Sequence, residues 1–274
     1  MNLLEKLKEI QNQKKAMLAA NFYNLETCRA IVLAATKLNC PVILQLTPSS
    51  IKYMGLKTSI GIARNLSDDS GTQTWVHLDH CNDIELIKKC LDEGINSVMI
   101  DASDKELDEN ISITSGVVNL AKSYRINVEA ELGVVPKPET DIDVNKFTLP
   151  KEARRFVEET GVTSLAIAVG SKHGFYRGIP RINIERIREI KKVTDVFLVL
   201  HGASGIPSDI LKEAIKNGIT KVNVATDTKD LFMSSLKETL NSNDDIDLRN
   251  IFPFAVNKVQ KMIEEKIKVV SMVN

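Results

Sequence analysis

Eight short apolar runs, each followed by a longer amphipathic stretch, set the strongest constraint on the fold of this chain. The amphipathic stretches carry apolar residues at three- and four-residue spacing, as at Ile84, Ile87 and Leu91, which predicts helices. The runs are uniformly apolar, as expected for parallel strands covered by helices. They occupy residues 16–21, 41–47, 74–80, 97–101, 127–132, 164–170, 196–201 and 221–226. Eight strand and helix units over about 250 residues predict an α/β fold, the (β/α)8 TIM barrel.

Glycine and proline positions support these helix boundaries. Gly94, Gly161 and Gly218 each end a helical pattern just before an apolar run, and Pro207 stands at the start of a predicted helix. A doubly wound open sheet has the same alternation of strands and helices. Because periodicity does not reveal whether a sheet closes on itself, the open sheet remains the alternative fold.

Composition bounds the class of protein and its partners. With 43% hydrophobic and 26% charged residues among 274, we expect one barrel domain over residues 1–274, with an extra N-terminal helix and a helical tail over about 245–274. Lysine plus arginine and aspartate plus glutamate both number 36, so bulk charge predicts no nucleic-acid partner and no membrane partner. The first ten residues are charged and amphipathic, without the apolar stretch of a secretory signal, which predicts a cytoplasmic protein.

The four cysteines are predicted to be reduced thiols. Cys28, Cys40, Cys81 and Cys90 show no paired spacing, and a chain of this size needs no disulfide to fold. Cys81 follows His80, and a cysteine thiolate is a metal ligand by residue type. Consecutive residues on a strand face opposite sides, so this role is disfavoured.

Three of the four histidines lie at the end of an apolar run. They are His80, His173 and His201. Three imidazoles with one open position commonly hold a borderline-soft divalent metal, and the strand ends of a barrel converge on one face. We therefore predict a catalytic metal site formed by these three side chains. His77, three residues before His80 on the same run, is expected to face the opposite side and to be structural.

Three carboxylates accompany the predicted metal site. Asp79 precedes His80 and is predicted to act as a general acid and base near the metal, with a structural role as the alternative. Asp101 and Glu131 end two further runs. Either could serve as a second-site metal ligand or could orient the ligand imidazoles.

Two loops suit a phosphate group. The small residues after His201, which are Gly202, Ala203, Ser204 and Gly205, let backbone N–H groups approach an oxyanion. A second loop follows the eighth run and leads into a helix. Loops after strands seven and eight form the recurrent phosphate site of these barrels.

Six short motifs lie at or near the ends of the apolar runs. They are Leu-Asp-His at 78–80, Ile-Asp-Ala-Ser at 100–103, Glu-Ala-Glu-Leu-Gly at 129–133, Gly-Ser-Lys-His-Gly at 170–174, His-Gly-Ala-Ser-Gly at 201–205 and Asn-Val-Ala-Thr at 223–226. Together they closely resemble the class II, metal-dependent ketose-bisphosphate aldolases, and the resemblance extends in order from about Asn21 to beyond Asp227, over nearly the whole barrel. Within the family, these motifs are more similar to the tagatose-1,6-bisphosphate branch than to the fructose-1,6-bisphosphate branch.

The resemblance implies a reaction and a role for each site residue. The reaction is reversible cleavage of a ketose 1,6-bisphosphate to dihydroxyacetone phosphate and glyceraldehyde 3-phosphate. Zinc bound by the three histidines would stabilise the enediolate, and Asp79 would move the proton of the C4 hydroxyl. Glu139, on a mobile loop, would exchange the proton of the enediolate carbon. The residues implied to hold the dihydroxyacetone phosphate half are Gly174, Gly202, Ala203, Ser204, Asn223, Val224, Ala225 and Thr226.

The resemblance also implies a homodimer or homotetramer, with a monovalent cation as a further candidate ligand. Two departures keep alternatives open. The family loop usually has two glycines where this chain has Pro136 and Pro138, which stiffens the segment carrying Glu139. Lys172 replaces a small residue and either adds charge near a phosphate or is simply solvated. The alternatives are a related metal aldolase with a different phosphorylated ketose or aldehyde half, and a non-catalytic aldolase-like subunit.

Overall fold

The computed structural model describes residues 1–136, 140, 142–176, 178–242 and 244–272. Its centre is a closed barrel of eight parallel strands in sequence order, with the eighth strand paired to the first. The predicted (β/α)8 barrel is therefore confirmed, and the open sheet is excluded. The strands are β1 (Met17–Asn21), β2 (Val42–Leu46), β3 (Thr74–Cys81), β4 (Ser97–Ile100), β5 (Asn127–Leu132), β6 (Ser164–Ile167), β7 (Phe197–Leu200) and β8 (Ile219–Val224).

Helices surround the barrel and extend beyond its eighth unit. A short 3-10 helix, Val144–Lys146, lies in the loop after β5. The α-helices are α1 (Leu3–Asn12), α2 (Leu25–Leu38), α3 (Pro48–Met54), α4 (Leu56–Ser70), α5 (Ile84–Asp92), α6 (Leu107–Lys122), α7 (Pro150–Thr160), α8 (Ile184–Val193), α9 (Ser208–Lys216), α10 (Thr226–Ser242) and α11 (Leu248–Val270).

Local capping explains several of these boundaries. The Asn24 side chain accepts a hydrogen bond from the Thr27 backbone N–H and so caps the first turn of α2. The Asp83 side chain accepts from two backbone N–H groups at the start of α5. Gly161 ends α7 in the left-handed region with φ of 69°, as its place in the sequence predicted.

Two apolar cores hold the barrel together. The larger core lies between the outer faces of the strands and the surrounding helices. The smaller one closes the bottom of the barrel, where Leu3, Leu7 and Ile10 of α1 pack against strand residues that include Ile43 and Trp75. The lower interior is thus lined mainly by apolar side chains, whereas polar side chains fill the upper interior near the carboxyl ends of the strands.

The helical tail packs back on the barrel. Helix α11 lies against α2 and α10, and the Ala16 backbone N–H donates to the Val270 carbonyl at 2.9 Å. This bond ties the end of α11 to the start of the first strand. Across the described ranges, every helix is too short or too polar to span a membrane.

Candidate active site

The three predicted histidines meet at the carboxyl end of the barrel. His80 Nε2 lies 2.8 Å from His201 Nδ1, and the ring centroids of His80 and His173 are 4.8 Å apart. One nitrogen from each ring can be chosen so that all three lie within 4.8 Å of one another. This convergence is what a single ion bound by three imidazoles requires.

A bulge in β3 places both Asp79 and His80 at the barrel mouth. The pairing of β3 with β4 shifts register between Leu78 and Cys81, and His80 adopts a left-handed backbone with φ of 47°. The extra residue turns His80 inward, although strand alternation would have placed it outside. The expected separation of His77 and His80 on opposite sides is therefore wrong, because His77 also points into the barrel, one layer below Asp79.

A second group of potential metal ligands shares His80. It comprises His80, Asp101 and Glu131. Asp101 Oδ2 lies 2.7 Å from His80 Nδ1, and Glu131 Oε2 lies 3.7 Å from His201 Nδ1. Glu131 Oε2 is buried and has no hydrogen-bond partner among the described residues. A buried, unsatisfied carboxylate oxygen beside imidazole nitrogens fits a divalent cation, so the donor set suits a metal.

The pKa values of the site residues are shifted by burial and by neighbouring carboxylates, as expected for a site that binds a cation. Burial, together with the nearby Asp101 carboxylate, raises the pKa of Glu131 to about 8. Burial would lower the pKa of His80, but the Asp79, Asp101 and Glu131 carboxylates outweigh it and raise that pKa to about 10. Burial and the neighbouring His80 hold the pKa of His201 well below its usual range. The carboxyl groups of Asp79, Asp101 and Glu131 therefore surround the imidazoles with oxygen atoms that favour a cation.

Asp79 is fixed by two asparagines. Its carboxylate accepts from Asn21 Nδ2 at 2.8 Å and from Asn223 Nδ2 at 3.4 Å, and the residue is only 4% exposed. Asn223 was predicted as a phosphate-loop residue, whereas no role for Asn21 was derived from the sequence. The sequence could have predicted Asn21 as a site residue, because it ends an apolar run as the histidines do.

Two further residues of the barrel interior, Glu129 and Lys221, were also not predicted from the sequence. Both lie inside the barrel beneath the histidines, and Glu129 contacts His201. Alternation along the strands could have indicated them, because Glu129 shares a face with Glu131, and Lys221 shares a face with Asn223.

The predicted phosphate loops lie side by side. The Ala203 backbone N–H donates to the Asn223 carbonyl at 3.1 Å. Ser204 Oγ lies 3.4 Å from the backbone nitrogens of both Ala225 and Asp227, where α10 begins. Backbone N–H groups at a helix start, together with a hydroxyl, can bind an anion. Gly174, on the loop after β6, has φ of 81°.

Tyr176 couples the loops after β6 and β7. Its hydroxyl accepts from the Lys172 backbone N–H at 2.9 Å and donates to the Gly202 carbonyl at 2.8 Å. Lys172 is only 8% exposed and lines a cavity of 520 Å³ together with Tyr176 and Arg181. The structure thus contradicts a solvated Lys172.

The long loop after β5 is hydrogen-bonded at both of its ends to the segment that follows β6. The His173 backbone N–H donates to the Pro136 carbonyl at 2.9 Å, and the buried Thr148 hydroxyl accepts from the Ala168 backbone N–H at 2.8 Å. Glu139 lies outside the described residues. A cavity of 440 Å³ beside this loop is lined by His80, His173 and other residues at the ends of the strands.

Gly202→Ala is expected to destabilise the protein and to raise KM for a phosphorylated substrate. Gly202 has φ of +64°, and a Cβ there would lie 2.3 Å from the Lys172 carbonyl oxygen. The left-handed backbone alone costs an alanine about 1–2 kcal/mol, and the collision adds to this cost. Thermal unfolding and steady-state kinetics measure both effects.

Gly205→Ala is the matched control, because Gly205 lies in the same loop with φ of +80° and its Cβ would meet its nearest neighbour at 3.5 Å. We expect a smaller loss of stability and little change in KM. Equal effects of the two substitutions would contradict the proposed close contact between the loops.

Known proteins share this sequence pattern and fold. The statistical model of the family described as "Fructose-bisphosphate aldolase class-II" matches residues 1–274. The YdjI aldolase from Escherichia coli K12 is 30% identical, with a TM-score of 0.88 over 98% of this chain and 96% of that chain. A candidate fructose-1,6-bisphosphate aldolase from Coccidioides immitis is 28% identical, with a TM-score of 0.89 over 98% and 96%. A fructose-bisphosphate aldolase from Campylobacter jejuni, 20% identical, has the same fold, with a TM-score of 0.84 over 99% and 95%.

Proposed function

The chain belongs to the class II fructose-bisphosphate aldolase family, and we propose that it reversibly cleaves a ketose 1,6-bisphosphate to dihydroxyacetone phosphate and glyceraldehyde 3-phosphate. Membership of this family indicates a carbon–carbon lyase, which argues against the non-catalytic alternative. The observation that supports the specific reaction best is the convergence of three imidazoles beside the buried Asp79 carboxylate.

The family is generally metal-dependent, and we propose zinc as the metal of this chain. His80, His173 and His201 would hold it, because three nitrogen donors are typical of catalytic zinc. The ion supplies Lewis-acid stabilisation of the negative charge that cleavage leaves on the dihydroxyacetone phosphate half. Asp101 and Glu131 would orient His80 or offer a second metal position.

Asp79 would carry the proton in the central step. In cleavage its carboxylate takes the proton of the C4 hydroxyl, the C4 oxygen forms the aldehyde carbonyl, and the C3–C4 bond breaks. The electron pair of that bond stays with C3 and is delocalised toward the C2 oxygen. A proton then returns to C3, and Glu139 is the residue we propose for that transfer. In condensation Asp79 gives its proton back. Asn21 and Asn223 hold the carboxylate in place for both directions.

The phosphate of the dihydroxyacetone half would bind at the paired loops after β7 and β8. The residues proposed to hold it are Gly174, Gly202, Ala203, Ser204, Asn223, Val224, Ala225 and Thr226. The start of α10 and the Ser204 hydroxyl support this placement. We also propose that residues 1–274 work as one barrel domain in a cytoplasmic homodimer or homotetramer.

Comparing the cleavage of tagatose 1,6-bisphosphate and fructose 1,6-bisphosphate, with and without added zinc, tests this function. We expect zinc-dependent release of dihydroxyacetone phosphate from at least one of them. The motifs favour tagatose 1,6-bisphosphate. Failure on every ketose bisphosphate that yields dihydroxyacetone phosphate would contradict the proposal.

A second candidate function keeps the metal and the dihydroxyacetone phosphate half but takes a different aldehyde. The buried Lys172, placed where the family has a small residue, favours it. A panel of phosphorylated ketoses that differ at C4 or lack the distal phosphate separates the two candidates. Faster cleavage of a ketose lacking the distal phosphate would support the second candidate.

A further inference from the structure

A buried ion pair lies beneath the proposed metal site. Lys221 Nζ is 2.7 Å from Glu129 Oε2, and the two side chains are 2% and 1% exposed. The interior of such barrels is usually filled by branched apolar residues. A buried ion pair is weak evidence for stability, since apolar residues of similar volume often replace one without loss. The pair therefore calls for an explanation in terms of function.

The second oxygen of Glu129 contacts a proposed metal ligand. Glu129 Oε1 lies 2.9 Å from His201 Nε2. A carboxylate can only accept hydrogen bonds, and Lys221 occupies its other oxygen as a donor. The bond to Glu129 therefore requires a hydrogen on His201 Nε2. In a neutral imidazole the lone pair is then on Nδ1, the atom that lies 2.8 Å from His80 Nε2.

Asn223 competes for the same nitrogen of His201. Its Nδ2 lies 3.1 Å from His201 Nε2, and donation from this amide would favour the opposite tautomer, with hydrogen on Nδ1. Hydrogen bonds that involve a charged partner are roughly twice as strong as neutral ones. The contact with Glu129 is also the shorter, so the carboxylate decides the tautomer. The Asn223 amide is satisfied instead by Asp79 at 3.4 Å.

Lys221 gives Glu129 its orientation. The ammonium holds Oε2, which leaves Oε1 aimed at His201. His77 completes the cluster, with its Nε2 3.4 Å from Lys221 Nζ and its Nδ1 2.9 Å from Ser97 Oγ. Lys221 and His77 lie on strands that are not neighbours in the barrel, so this contact crosses the interior.

We propose that Glu129, held by Lys221, is a positioning residue that keeps His201 in its Nε2–H tautomer and so makes Nδ1 the metal-binding nitrogen. This inference rests on the proposed metal site. Ligand histidines commonly donate their second nitrogen to a carboxylate, and loss of such a partner typically lowers metal affinity by about 10- to 100-fold. Because Lys221 also contacts Glu129, the substitution Glu129→Gln has a specific expected effect on the His201 tautomer.

Glu129→Gln is expected to reverse the tautomer. Glutamine has one acceptor oxygen, to which the Lys221 ammonium would donate a hydrogen bond. Its NH2 group would then face His201 Nε2 as a donor. His201 would take its hydrogen on Nδ1 and lose that nitrogen as a ligand. In Glu129→Gln/Lys221→Met the amide is free to turn its oxygen toward His201. The double variant should therefore bind zinc more tightly than Glu129→Gln alone.

Two measurements test the inference. Imidazole ¹⁵N chemical shifts of the metal-free protein, simplified because the chain has only four histidines, report the His201 tautomer. Competition with a chromophoric chelator gives zinc affinity, and circular dichroism verifies folding. We expect Nε2–H in the unmodified protein, Nδ1–H with at least about 10-fold weaker zinc binding in Glu129→Gln, and recovery in the double variant.

Three results would overturn the proposal. They are an Nδ1–H tautomer in the unmodified protein, unchanged zinc affinity in folded Glu129→Gln, and a double variant that binds zinc no better than Glu129→Gln. The first needs no variant, so it applies even if Glu129→Gln does not fold. An unmodified protein that shows Nε2–H yet binds no zinc would contradict the proposed function and the metal role of Glu129, while the tautomer assignment would stand.

Discussion

Asp79→Ala is expected to lower the turnover of a ketose bisphosphate by about 10²- to 10⁴-fold while zinc stays bound, because a positioned acid and base typically contributes that much. Asp79 belongs to neither group of potential metal ligands, and its carboxylate accepts hydrogen bonds from the amides of Asn21 and Asn223. Asn223 also lies 3.1 Å from His201 Nε2, but Glu129 contacts the same nitrogen at 2.9 Å and stays in place. Removing its carboxylate therefore takes away the proton acceptor and leaves the donor set intact. Steady-state kinetics and metal content of the same preparation measure both quantities.

Asp83→Ala provides a matched control for Asp79→Ala. Asp83 caps α5 and is exposed, so its loss should cost about 1 kcal/mol of stability with turnover unchanged. If Asp79→Ala loses zinc in proportion to its activity, Asp79 acts on the metal and not on the substrate proton. Retention of full turnover would remove Asp79 from the mechanism.

His80→Ala is expected to abolish stoichiometric zinc binding and, with it, cleavage activity. His80 is the one residue shared by the two potential ligand groups, so its loss leaves neither complete. His173→Ala breaks only the three-histidine group and leaves His80, Asp101 and Glu131 in place. We expect His173→Ala to lose activity but to retain weak zinc binding. Zinc titration of both proteins, with circular dichroism for folding, makes the comparison.

Equal zinc affinity in folded His80→Ala and the unmodified protein would contradict the proposed ligand set. Identical loss of zinc in His80→Ala and His173→Ala would instead show that the set of His80, Asp101 and Glu131 holds no metal by itself. Both substitutions remove the same side chain, an imidazole, so they differ only in its position. Of the two, only His80 has a left-handed backbone, and its Cβ already bears the steric cost of that conformation, which alanine keeps.

Much of the fold follows from local sequence patterns. Apolar runs, helical spacing and residues such as Gly161 and Pro207 predicted the strands and helices, and their eightfold repetition predicted the barrel that the structure confirms. Closure of the sheet did not follow from periodicity, because it depends on pairing between β1 and β8, which are far apart in the chain.

The site was predictable where a residue stands at a strand end and less so where the backbone departs from regularity. Strand ends placed the three histidines together, but the bulge that turns His80 inward leaves no mark in the apolar pattern. Glu129 and Lys221 meet across the barrel, and their contact depends on register between distant strands. Glu139 lies outside the described residues and stays a prediction.

Titration of zinc into metal-free protein, with zinc content and ketose bisphosphate cleavage followed together, tests the central claim most directly. Metal-free protein should be inactive. Cleavage should rise in proportion to bound zinc and reach its maximum when the histidine site is filled. His80→Ala should show neither zinc uptake nor cleavage. Full cleavage activity in protein shown to contain no metal would contradict the account.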